Sequence, residues 1–226
     1  MFHAQIKILL INCLVVFSLT GCAIKQMELT ESGFLSGYSG LEDYEELEGM
    51  RIYKNPDVNI VERYSKILVA PVEFKLDPTV KEHKMDFEDE LKLSNYFHET
   101  LIEGLIINYD IADEPGEDVL LLRIAITDIL PNKVYLNLHW ATTLIGGGIG
   151  GASLEAELID SLTGERMFSF IDARKGKKLN YTKGLTKWGH TQEVLGMWAK
   201  HIVKNLDDLK TEQLIKELEE SWANEE

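Results

Sequence analysis

Apolar residues recur along this chain with two different periods, and the switches between them mark out the elements. From Val119 to Ile129, Leu120, Leu122, Ile124 and Ile126 alternate with Leu121, Arg123, Ala125 and Thr127, which predicts a long strand covered on one face. Ala152, Leu154, Ala156 and Leu158 repeat the two-residue period. This strand, Ala152 to Asp160, turns through Ser161-Leu162-Thr163-Gly164-Glu165 into a second, Arg166 to Arg174, so a hairpin is expected with Gly164 free to take a left-handed conformation. The period becomes helical after Asp86, an N-cap residue, where Phe87, Leu91, Ser94, Phe97 or His98, Leu101 and Leu105 mark one face of a helix to about Ile107. A second helix begins at His190 or Thr191 and carries Val194, Leu195, Trp198, Ile202, Leu206 and Leu209 as its stripe. From Thr211 to Glu226 it continues as an acidic amphipathic helix through Leu214, Ile215, Leu218 and Trp222, whose apolar face must pack on the domain or on a partner.

Weaker patterns fill the gaps. Lys66 to Phe74 is a short apolar run interrupted by Pro71, which lacks a ladder donor, so the strand should lie at an edge or end its regular pairing there. Val134 to Thr143 alternates only loosely and is read as a strand. Residues 23–59 read as tether and irregular chain, with the cluster Glu42, Asp43, Glu45, Glu46 and Glu48 as a solvated loop or short helix. Within them, Ser32 to Leu41 holds Phe34, Leu35, Tyr38 and Leu41 among glycines, too aromatic for a free linker, and should pack along the domain. Strands grouped together, with helices before and after, predict an α+β fold: a mostly antiparallel sheet with two amphipathic helices packed on one face.

The start of the chain follows neither period. Ile8 to Leu19 is a mostly apolar run of the length expected for the core of a signal peptide, and Lys25 and Glu28 follow too soon for a helix that crosses a membrane, which needs about 20 apolar residues. Leu19-Thr20-Gly21-Cys22 resembles the lipobox of bacterial lipoproteins, in which the cysteine receives a diacylglycerol and becomes the first residue of the mature protein. That resemblance divides the chain into a signal peptide (1–21), a flexible tether (22–31) and a single domain (32–226). It implies a membrane partner reached through acyl chains on Cys22, and Ala23 beside it implies the periplasmic leaflet of the outer membrane. Cys13 leaves with the signal, so Cys22 is the sole mature cysteine and no internal disulfide is available to the fold.

Charge then narrows the partners. With 38 acidic and 23 basic residues and a net charge of −15, the chain lacks the basic face that nucleic acid demands. One local excess of positive charge, Lys175, Lys177, Lys178, Lys183 and Lys187 around Tyr181, is a candidate contact for lipid A phosphates, peptidoglycan carboxylates or an acidic partner, beside the plainer reading of a solvated lysine loop. Gly146 to Gly151 satisfies G-x-G-x-x-G but opens a strand rather than a helix, so no nucleotide is expected. His98-Glu99 lacks the second histidine of a zinc helix, and neither metal nor cofactor is expected. Glu155 and Glu157 share a strand face about 7 Å apart, a spacing open to acid–base hydrolysis, though their alternation with Leu154, Ala156 and Leu158 reads more simply as the solvent side of the strand.

Taken together, Ser32-Gly33-Phe34-Leu35, Tyr38-Ser39, Leu41, Tyr53, Asn55-Pro56, Tyr64, Ile67 to Val72, Ala125 to Asp128, Gly151 to Asp160, Thr163-Gly164-Glu165 and Trp198-Ala199 resemble the lipoprotein family called domain of unknown function 3313. The resemblance covers nearly all of the chain after the lipobox and carries no assigned activity. The functional expectation is a lipid-anchored envelope protein facing the periplasm that binds or scaffolds an envelope protein without catalysis. A carboxylate-dependent hydrolase using Glu155, Glu157 or Asp128, or a carrier of lipid or small apolar ligands, stands as the alternative.

Overall fold

The computed structural model describes residues 29, 31–44, 49–80, 85–137, 148–177 and 181–223. Its strands are β1 (Glu42–Asp43), β2 (Met50–Lys54), β3 (Lys66–Val69), β4 (Glu73–Phe74), β5 (Asp110–Ile111), β6 (Val119–Leu130), β7 (Gly151–Asp160) and β8 (Arg166–Lys175). They form one sheet in the order β1-β2-β8-β7-β6-β3-β5, with β4 also on β6. The pairs from β1 through β6 are antiparallel, and β3 and β4 run parallel to β6. The helices are α1 (Ile60–Arg63), α2 (Phe87–Leu105), α3 (Val134–Asn137), α4 (Tyr181–Gly184) and α5 (Gly189–Ala223). The fold is thus the α+β class expected, a mostly antiparallel sheet with its two long helices on one face.

The hairpin β7–β8 forms where the alternation placed it, extended by one residue at each outer end. Gly164 adopts φ +74°, and the Asp160 carboxylate accepts the amides of Leu162 and Thr163 to close the turn. Pro71 breaks the first strand as its missing donor requires. Val69 sits opposite Leu122 and Glu73 opposite Ala125, so four residues are matched against three and the extra one carries the proline.

On the helix face, Leu120, Leu122, Ile124 and Ile126 of β6 and Leu154, Ala156 and Leu158 of β7 form one core with Phe97, Leu101 and Leu105 of α2 and Leu195, Trp198 and Ile202 of α5. The two helices meet closely because Gly104 has no side chain: a Cβ there would stand 2.7 Å from Val203 Cγ2. The Asp86 side chain caps α2 by accepting from the Asp89 amide at 2.8 Å. The buried line of α2 is Leu93, Phe97, Leu101 and Leu105, spaced four apart, which differs from the expected face. Phe87 and Leu91 lie two residues out of step with it, roughly 200° around the helix, and are exposed.

Two other expectations are corrected. Residues 134–137, expected to begin a strand, form the short helix α3, while 138–147 lie outside the described residues. Residues 42–43 and 50–54, expected to be irregular, are strands, and β2 pairs with β8 along its whole length. As expected, the second helix and the tail are one helix through Ala223, although the side chains of Leu209, Leu214, Leu218 and Trp222 lie outside the description.

The fourth correction concerns the second face of the sheet, which is not open to solvent. Residues 31–41 cross it as a strap, and Phe34, Leu35 and Leu41 are buried there with Ala125 and Ile171. The aromatic segment therefore packs as expected. Because it does, Glu155 and Glu157 lie beneath it, fully buried instead of solvated.

Candidate functional site: an apolar cleft, a carboxylate clip and a lysine-bearing end

The strap shows first what the two glutamates do. Glu155 Oε1 accepts the Ser32 amide at 2.6 Å, and its Oε2 accepts the Tyr38 hydroxyl at 2.5 Å. Glu157 Oε2 accepts both the amide and the hydroxyl of Ser36, at 2.9 and 2.8 Å, and its Oε1 pairs with Arg123 Nη1 at 2.6 Å. The Arg123 guanidinium lies 4.7 Å from the Phe34 ring centroid, so the same arginine holds carboxylate and strap together. Burial, then the hydrogen bond to Glu155, raises the Tyr38 pKa and keeps its hydroxyl a donor. Each of the four carboxylate oxygens is engaged with strap or arginine. The pair acts as a clip that seats the strap on β7.

At the far end of the strap, Arg166 donates to the Gly37 and Ser39 carbonyls and stacks 3.7 Å from the centroid of Tyr53. Asp160 anchors a second polar knot, accepting from Arg63 Nη2 at 2.9 Å and from the Tyr64 hydroxyl at 2.8 Å. Burial acts to raise the Asp160 pKa, but the amides of Thr163 and Leu162 and the Tyr64 hydroxyl outweigh it and hold the carboxyl at about 2. Burial and the neighbouring Asp160 push the Tyr64 phenol upward in turn.

A cleft of about 240 Å³ opens on the helix face, between the β2–β8 pair and the middle of α5. Strand alternation sets Met50, Ile52 and Lys54 on one face of β2, opposite Asp172, Phe170 and Phe168 of β8. Phe168 and Phe170 form one wall, their ring centroids 6.1 Å apart and tilted by 51°, and Ile202 and Leu206 of α5 form the other. Lys54, Asn205 and Asp208 supply the polar rim. Such a cleft, apolar within and edged by a few polar groups, has the make-up of a binding site, at a volume just below the roughly 300–1,000 Å³ typical of small-molecule pockets. Sequence reasoning misses it because Met50 and Ile52 fall in a stretch that reads as irregular chain. The signal that could have found them is the brief alternation Met50-Arg51-Ile52-Tyr53-Lys54.

The lysine segment is partly assembled and partly tied down. Asn132 Nδ2 donates to the carbonyls of Lys183 and Thr186, at 2.8 and 2.5 Å, and the Asn132 amide donates to the Lys187 carbonyl at 2.8 Å. The Lys187 ammonium pairs with Asp89 at 2.8 Å and lies 4.6 Å from the Trp188 ring centroid. The hydrogen bond from the Lys187 ammonium holds the Asp89 carboxyl below the usual carboxylate range. Lys175 and Lys177 line a separate open groove of about 410 Å³ together with Lys200 and His201, two positions that sequence reasoning missed. Lys178 lies outside the described residues, as does the side chain of Tyr181. Leu19, Thr20, Gly21 and Cys22 also fall outside the description, and so do Gly146 and Gly147 of the glycine tract. Among the described residues no three histidine, cysteine, aspartate or glutamate side chains gather to hold a metal, and no helix is long and apolar enough to cross a membrane.

Solved structures similar to the chain include the PelC dodecamer from Paraburkholderia phytofirmans, 16% identical over 71% of this chain and 96% of that one, with a TM-score of 0.40. Protein XCC0632 from Xanthomonas campestris is 13% identical over 71% of this chain and 92% of its own, with a TM-score of 0.39. Lipoprotein GNA1162 from Neisseria meningitidis is 15% identical over 63% and 96%, with a TM-score of 0.33. No curated protein matches the sequence. The family model described as a protein of unknown function, DUF3313, matches residues 30–202, from the strap through the cleft wall at Ile202, and the chain belongs to that family.

Proposed function

We propose that this protein is a lipid-anchored binding protein of the bacterial envelope, held through Cys22 at the periplasmic leaflet of the outer membrane, and that it receives apolar side chains of an envelope protein in the cleft between β2, β8 and α5. The observation that carries the binding role is the cleft itself: two phenylalanines facing Ile202 and Leu206 at the bottom of a polar rim. Its volume of about 240 Å³ suits one or two side chains of a partner better than a whole lipid. A hydrolase built on Glu155 and Glu157 is disfavoured, because both carboxylates are spent on the strap.

A photo-reactive residue in place of Asn205 is expected to give one discrete adduct with an envelope protein in living cells, abolished by Ile52→Glu on the opposite wall. If instead no adduct forms and native mass spectrometry finds a lipid or small apolar molecule on the purified protein, ligand carriage replaces partner binding. The anchor is tested separately: Cys22→Ser should be found in the soluble fraction, and retention in the membrane would overturn it.

A further inference from the structure

The two ends of the sheet carry opposite chemistry. Leu130, Gly151 and Lys175 lie in one row across β6, β7 and β8 and define one end. Beyond that row stand Lys133, Lys177 and Lys183, with Tyr135 on α3 and Leu185 after α4 exposed at 70% and 53%. Contacts between α3 and α4, and the bond from Asn132 to the Lys187 carbonyl, hold these segments together. Phe87 and Leu91 flank the same end on α2, which Lys187 joins through Asp89. The acidic first turn of α2 also lies there, where Lys92 pairs with Glu88 as Lys187 does with Asp89. At the other end, Lys66 pairs with Val119 and with Asp110, and the connecting loop exposes Asp110, Asp113, Glu114 and Glu117.

The strap has a direction relative to these ends. Ser36 is clipped at Glu157 and Ser32 at Glu155, so the strap followed back from Ser36 to Ser32 runs toward the Gly151 end, and Glu31 then pairs with Arg51 of β2, level with Glu155. That end is about 13 Å from Glu155 along β7. The ten residues from Cys22 to Ser32 span up to about 35 Å, enough to pass it. Reach alone would allow either end; direction and charge select the lysine-bearing one.

We infer that the end formed by Lys133, Tyr135, Lys177, Lys183 and Leu185 is a docking face for an anionic phospholipid bilayer, which turns the acidic loop 110–118 away from the membrane. The inference rests on the Cys22 anchor proposed above. Exposed apolar side chains interspersed with lysines suit the headgroup boundary, where the rings and leucines enter the acyl edge while ammonium groups meet phosphates. The acidic loop would be repelled from the same surface.

The test uses the full chain, lipidated at Cys22 and reconstituted into vesicles, with a fluorophore on Leu185→Cys or, at the opposite end, on Leu162→Cys. In vesicles of phosphatidylethanolamine and phosphatidylglycerol, spin-labelled lipid should quench the Leu185 label several-fold more strongly than the Leu162 label. The difference should shrink in pure phosphatidylcholine and in the Lys133→Glu, Lys183→Glu double variant. Vesicle flotation separates the two readings. A chain that does not float with the vesicles loses the anchor and the docking face with it, whereas a chain that floats with both labels quenched equally keeps the anchor and overturns the docking face.

Discussion

Strand β7 presents two faces that are equally buried and held by different physics. Leu154, Ala156 and Leu158 are covered by α2 and α5 through apolar packing, with a polar fixture in the Trp198 indole, which donates to Asp172 at 2.8 Å. Ser153, Glu155 and Glu157 are covered by the strap through a chain of directed hydrogen bonds to two carboxylates. Packing is diffuse and tolerates small shifts, whereas a buried carboxylate left without its donors suffers the full cost of desolvation. The helix face should therefore govern whether the domain folds, and the strap face whether one segment stays seated.

The largest effect is expected on the helix side. Phe97 is fully buried against the sheet, and Phe97→Ala should cost about 4 kcal/mol, read as a shift in urea unfolding of the whole domain. A loss confined to α2 in hydrogen exchange would break the comparison. On the strap side, Glu157→Ala strands Arg123 and should cost about 3 kcal/mol. If the clip is one unit, Arg123→Ala together with Glu157→Ala should cost clearly less than the sum of the two, and additive losses in that cycle would show that the two act separately. Limited proteolysis between Ser32 and Tyr38 should accelerate in Glu157→Ala and not in Phe97→Ala under conditions where both remain folded.

The Asp160 knot adds a dependence on acidity. Its folded pKa of about 2 lies below the roughly 3.9 of an unfolded aspartate, so its contribution is complete above that value and is lost as pH falls toward 2. About 2 kcal/mol should separate the native protein from Asp160→Asn at neutral pH. That gap should close in unfolding curves taken near pH 2, and a gap independent of pH would refute the assignment. The smallest effect sharpens the contrast most. Tyr38→Phe removes one donor to Glu155 and should cost about 1 kcal/mol, with faster exchange of the Ser32 and Leu35 amides and little change in those of α5.

What the sequence made legible divides along the same line. Helix-face residues write their own period, so β6, β7, β8, α2 and the stripe of α5 could be read from the alternation of Leu120, Leu122, Ile124 and Ile126 or from Val194, Trp198 and Ile202. Strap-face residues do not. Glu155 and Glu157 alternate with apolar neighbours as solvent-facing residues would, and nothing local to β7 reveals that a segment far earlier in the chain, Ser32 being 123 residues before Glu155, covers them. The aromatic content of Ser32 to Leu41 did indicate that the segment needed a surface, but not which one. The cleft was hidden for a related reason: β2 is five residues long, and its register on β8 is fixed by long-range pairing that no short window contains. In α2 the error was one of phase, since Phe97 and His98 fit the same loose stripe and only contact with α5 distinguishes them.

The clip also has a mechanical consequence. The strap lies along β7 and is fixed at two successive points, Ser32 on Glu155 and Ser36 on Glu157. A pull on the preceding chain directed along the strand loads both points together in shear, while a pull directed away from the sheet peels the Glu155 point first and the Glu157 point afterwards. Rupture force measured on the single molecule should therefore depend on the direction of pulling, high along β7 and low across it. Tension transmitted from the N-terminal side is then borne by two glutamates before it reaches the packed core.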